Sequence, residues 1–116
     1  MTGAPYRVVD DSHWCFKGTN LKNGDTFGER SLHMRVPGGA SGHETDKVSD
    51  QSPKNVHRLA QGTNPDQGGA DMVHFDTPSK GAVFSVGSIT WPACILVDDH
   101  VASITSNVIH QFLKDT

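Results

Sequence analysis

The sequence predicts a layered domain of the α/β or α+β class: a mixed, largely antiparallel sheet of four to six strands with a C-terminal helix packed on one face. Three observations predict it. Apolar residues at Val101, Ile104, Val108 and Phe112, widened by Val97, Ile109 and Leu113, trace one helical stripe behind two N-cap candidates, Asp98 and Asp99. Short runs at 56–61, 70–77 and 81–87 read as successive strands separated by turn formers. Between the last two lies Thr77-Pro78-Ser79-Lys80-Gly81, a hairpin loop of ordinary length with a glycine available for positive φ, so these two strands pair antiparallel.

The remaining elements follow in chain order. Residues 6–9 form a short extended segment. Residues 10–28 combine Trp14, Phe16 and Phe27 with turn chemistry at Gly18-Thr19-Asn20 and Asn23-Gly24-Asp25, which makes a structured loop with buried rings. Residues 31–36 read as a strand ended by Pro37-Gly38-Gly39, and 41–48 as another. Ser52-Pro53 opens a connector, and 63–69, TNPDQGG, is an exposed loop. Ala82, Val83, Phe84 and Val86, bounded by Gly81 and Gly87, suit a strand covered on both faces.

Length and composition narrow the function classes. A chain of 116 residues is one domain, 1–116, able to bury roughly two thirds of its unfolded surface. With 34% hydrophobic and 7% aromatic residues, 12 glycines and 6 prolines, its core is thin. A net charge of −3 supplies no basic stripe, which argues against a nucleic-acid partner. The apolar run at 93–97 is far too short to span a bilayer, so no membrane partner is expected. Cys15 and Cys94 lack C-x-x-C spacing and no secretory leader opens the chain, which points to reduced, buried thiols and a cytoplasmic protein.

Chemistry is sparser. In Ser41-Gly42-His43-Glu44-Thr45-Asp46-Lys47 an extended backbone puts Gly42, Glu44 and Asp46 on one face and His43, Thr45 and Lys47 on the other. Adjacent carboxylates drive their pKa values apart, which can leave one as acid and one as base, although a polar strand of this kind is more often a solvated face or a turn-anchoring carboxylate. Seven histidines show neither an H-x-x-x-H pair nor H-E-x-x-H, so no metal site is expected. Val36-Pro37-Gly38-Gly39-Ala40-Ser41-Gly42 lacks phosphate-loop spacing and reads as a tight turn. Trp91-Pro92, at the end of the last strand, reads as a packing tryptophan pinning strand to helix.

The segments SHWCFKGTNLKNGDTFG (12–28), GGASGHETDK (38–47) and ADMVHFDTPSKGAVFSVGS (70–88), followed by Ile89-Thr90-Trp91 and the long helix, resemble in order the C-terminal end of the large subunit of bacterial N,N-dimethylformamidase and its relatives. More remotely the order of elements is similar to the second half of class I glutamine amidotransferase-like and trehalose-utilisation-type domains, which are flavodoxin-like. The resemblance implies hydrolysis of a small non-peptide amide C–N bond, with Glu44 as general acid or base and His43 and Asp46 beside it. It also implies a mononuclear iron held by two tyrosines and a glutamate. This chain has a single tyrosine, Tyr6, so the iron ligands are expected upstream and no cofactor in the chain itself. A nucleophilic cysteine on a strand-to-helix elbow, needed by the amidotransferase alternative, is matched by neither Cys15 nor Cys94. The expectation is therefore a half-domain, inactive alone, that joins an upstream domain or forms a homo-oligomer; the rival is a non-catalytic, oligomer-forming module.

Overall fold

Residues 2–114 are described by a computed structural model. The helical stripe forms the 16-residue helix α1 (Asp99–Lys114). Asp98 is its cap: the Asp98 Oδ1 accepts from the Val101 amide at 3.1 Å, satisfying one of the free N–H groups of the first turn. Val101 and Ile104 are fully buried, while the stripe fades toward the C-terminus, where Ile109 is 54% exposed.

Five strands build the sheet: β1 (Tyr6–Val8), β2 (Thr26–Phe27), β3 (His57–Gly62), β4 (Asp71–Asp76) and β5 (Ala82–Ser85). Their order is β2-β1-β3-β4-β5, and every pairing among the described strands is antiparallel. The α+β alternative is thus the one realised, without the parallel pairs of a doubly wound sheet. The predicted hairpin joins β4 to β5, closed by the Thr77 amide on the Gly81 carbonyl at 2.9 Å. Its left-handed residue is Lys80, at φ +69°, and not the glycine.

One core cluster lies between sheet, helix and the loop after β1. Tyr6 stacks on Phe27 at 5.5 Å, and Trp91 meets both rings edge-on. The Trp91 Nε1–H donates to Thr105 Oγ1 at 3.1 Å, so the tryptophan pins the chain after β5 to the helix as its position in the sequence suggested. Residues 14–16 make a short 3-10 turn that places Cys15 and Phe16 in the core, and Asn107 of α1 donates to the Cys15 and Lys17 carbonyls at 2.8 and 2.9 Å. Both cysteines are unpaired and buried. No helix among the described residues is long and apolar enough to cross a membrane.

Three expectations are corrected. β5 is an edge strand, with no further strand beside it among the described elements, and it is not covered on both faces either, since Val83 is 38% exposed. Residues 31–36 are irregular: Leu32 and Met34 are 57% and 95% exposed, and of the three apolar side chains there only that of Val36 is buried. Residues 41–48 are not a strand either; they touch the fold through two isolated bridges, Ala4↔Ser41 and Thr45↔Ser88. In the 63–69 loop, exposed as expected at 65–67, Asn64 is an exception and is buried.

Candidate functional site

The segment that carries Glu44 has no ladder to hold it, so its backbone groups need other partners. A buried seam of small polar side chains provides them. Ser41 exchanges backbone bonds with Ala4, and its hydroxyl donates to Asn64 Oδ1 at 2.7 Å while accepting the Ala70 amide at 3.0 Å. Asn64 returns its Nδ2–H to the Ser41 carbonyl at 2.9 Å. One step on, Ser88 Oγ accepts the Gly42 amide at 2.8 Å and lies 2.8 Å from the Ala40 carbonyl, to which it donates. Residues 40–42 are thereby clamped between the chain entering β1, the 63–69 loop and the chain leaving β5.

His43 then takes the left-handed conformation at φ +69°, and the chain turns outward. It straightens around Thr45, which bridges to Ser88 and donates through Oγ1 to the Gly68 carbonyl at 2.7 Å. The Asp46 amide donates to the Gly87 carbonyl at 2.8 Å, and the Asp46 carbonyl accepts the Asp71 amide at 2.9 Å. Gly87 permits this approach: at φ +66°, a Cβ there would lie 2.9 Å from the Asp71 carbonyl oxygen and 3.0 Å from that of Asp46.

With Thr45 turned inward, Glu44 and Asp46 fall on the same side and line an open pocket of about 440 Å³ with residues 84–89 of β5 and its C-terminal extension. The alternation argued from sequence thus survives over three residues only. His43 is exposed, does not line the pocket, and sits 6.0 Å from the ring of His33. Of the three residues singled out from sequence, the fold brings Glu44 and Asp46 together and leaves His43 aside. Ser41, Asn64 and Ser88, which position the carboxylates, carried no sequence signal: lone serines and asparagines in turn-rich stretches are commonplace.

An iron held by tyrosines does not fit what this chain offers. Tyr6 is fully buried, its hydroxyl donates to the Val86 carbonyl at 2.5 Å, and burial pushes its phenol well above the ordinary range, so the phenolate a metal requires is disfavoured. Among the described residues no group of three or more histidines, cysteines or acids is placed to hold a metal. Neither cysteine is an activated nucleophile: burial pushes the Cys15 thiol up to about 12 and raises that of Cys94.

Fold and site together define a small α+β domain that presents two carboxylates on a clamped loop beside an edge strand. A family model described as N,N-dimethylformamidase beta subunit-like, C-terminal, matches residues 1–103, and the chain belongs to that family. It is 32% identical to the N,N-dimethylformamidase beta subunit of Paracoccus aminophilus over an alignment 108 positions long that covers 69% of this chain and 14% of that protein. To the N,N-dimethylformamidase beta subunit of an Alcaligenes species it is 31% identical over an alignment 130 positions long that covers 88% of this chain and 16% of that protein. The chain therefore spans about one sixth, or less, of the length of these curated relatives.

Proposed function

We propose that this chain forms one wall of an amidohydrolase site for small, non-peptide amides, with Glu44 as the group that handles the proton. The observation that carries the reading is the clamped loop: in a member of this family, Glu44 and Asp46 line one open pocket and their backbone is fixed from three sides. Hydrolysis of an amide needs a base to activate water, donors to stabilise the tetrahedral oxyanion, and an acid to protonate the departing amine. Glu44 suits the first and last roles in turn. Asp46 lines the same pocket beside it, and exposed His43 stands outside that pocket. Stabilisation of the oxyanion comes from outside the described residues, from an upstream region or a partner chain, so the isolated chain is inactive.

The test is a chimera in which the matched segment of the Paracoccus aminophilus beta subunit is replaced by this chain. Turnover of N,N-dimethylformamide is expected in the chimera and is lost on Glu44→Gln with the melting temperature unchanged. An active Glu44→Gln chimera removes Glu44 from the reaction.

One observation favours a second reading, an assembly module without catalysis. Phe84, Val86, Trp91, Ile104, Val108 and Ile109 line an apolar groove of about 140 Å³ beside the free edge of β5, the kind of surface a second copy covers. A monomeric mass by light scattering at micromolar concentration removes it.

A further inference from the structure

Away from the carboxylate pocket, three histidines converge on one face of the sheet. His57 of β3 and His74 of β4 are cross-strand partners, and His13 of the loop after β1 lies over both, with ring centroids 5.6 and 5.0 Å away. The hydrogen bonds fix their tautomers. The Cys15 amide donates to His13 Nδ1 at 3.1 Å, so that nitrogen carries a lone pair and the ring proton sits on Nε2. His13 Nε2–H then donates to His74 Nδ1 at 3.2 Å, which leaves the His74 proton on Nε2, 3.8 Å from the exposed Asp76 carboxylate. Both basic lone pairs of the pair are occupied by N–H donors. A proton added to His13 breaks the bond to Cys15; one added to His74 breaks the bond to His13.

We infer that His13 and His74 form a proton-operated latch that holds residues 13–17 against the sheet at neutral pH and releases them in mild acid. The segment it holds is a bridge, because Asn107 of α1 grips the same turn from the other side through the Cys15 and Lys17 carbonyls. Release on the sheet side therefore loosens the seat of the helix as well.

Of the groups around the latch, the neighbouring histidine rings act in the same direction as burial and Asp10 acts weakly against it. Burial, then the neighbouring His74 and His57 rings, hold the His13 imidazole down at about 4, against a smaller pull from Asp10. The Asp10 carboxyl, held at about 2 by the hydroxyl and amide of Ser12 and by His57, remains ionised throughout the relevant range. His57, bonded to Asp10 at 2.6 Å, and Asp76 complete the set facing the pair. Because His13 is depressed in the closed state relative to about 6.5 in a released segment, closure is fully favoured above that value and weakens as pH falls toward 4. One proton across two pH units raises the opening equilibrium on the order of 10- to 30-fold.

Amide hydrogen exchange on the intact chain tests this. Between pH 6.5 and 4.5 the protection of the Cys15 amide, corrected for intrinsic rates, is expected to fall by about that factor while the β3–β4 ladder stays constant. In His13→Asn the side-chain oxygen still accepts from the Cys15 amide but takes up no proton, so protection becomes flat with pH; His57→Asn leaves both hydrogen bonds of the latch in place and still shows a fall, of smaller size because one of the rings that hold His13 down is gone. A flat wild-type profile, or a His13→Asn variant that retains the fall, overturns the latch. Should that variant fail to fold, the ring nitrogen shifts of the wild-type chain decide: a neutral Nε2–H tautomer of His13 persisting below pH 5 supports the latch, and titration in the ordinary histidine range overturns it.

Discussion

The helix α1 and the 40–46 segment hold the chain in place by opposite means. The helix satisfies its own backbone and is fixed to the rest chiefly by side-chain burial, with Val101 and Ile104 at 0% exposure as its anchors and the bonds of Thr105 and Asn107 beside them. The 40–46 segment buries few apolar atoms and is fixed by hydrogen bonds to residues far away in sequence, from Ala4 to Ser88. A hydrophobic anchor tolerates small displacements; a bond from a serine hydroxyl to an amide does not, because its strength falls off within tenths of an ångström. That is a reason for a loop that presents carboxylates to be polar inside. The helix holds the domain together, and the seam sets where Glu44 and Asp46 stand.

The comparison can be broken at either end. The largest effect is expected from Ile104→Ala, which removes buried methylenes and leaves a cavity, lowering stability by about 2–5 kcal/mol in urea unfolding while leaving the Glu44 pocket unchanged. Next comes Ser41→Ala, which leaves the Asn64 Oδ1 and the Ala70 amide without their common partner. It should lower stability by about 1–3 kcal/mol and, unlike the helix substitution, shift the amide resonances of residues 42–46. If Ile104→Ala shifts those resonances as strongly as Ser41→Ala does, helix and seam are one cooperative unit and the division drawn above fails. At the small end, Met34→Ser replaces a side chain that is 95% exposed in the irregular stretch before the seam. It should change stability by no more than about 0.5 kcal/mol in the same unfolding assay; a larger loss would show that 31–36 is covered in solution.

The candidate site was legible in part. Glu44 and Asp46 were found because an acidic pair at i, i+2 is a pattern the eye can test, and the pocket they share rests on that spacing around Thr45. The same pattern placed them on a strand, which is wrong: extended geometry reaches only Thr45 and its neighbours, since His43 is left-handed and the Ser88 bridge ends at once. Nothing local announced that Ser88 would close on Gly42, or that His13, His57 and His74 would meet.

By itself the sequence determined the helix, a cap at Asp98 or Asp99, the β4–β5 hairpin, the packing of Trp91 and the family. These depend on contacts within a few residues, or on an apolar stripe that must be buried somewhere. Only the tertiary structure decided that β5 is an edge, that Leu32 and Met34 are bare, and that two loops distant in sequence clamp the carboxylates. Those outcomes depend on which surfaces are left over after the core has formed and on hydrogen bonds between residues tens of positions apart, for which no periodicity exists to be read.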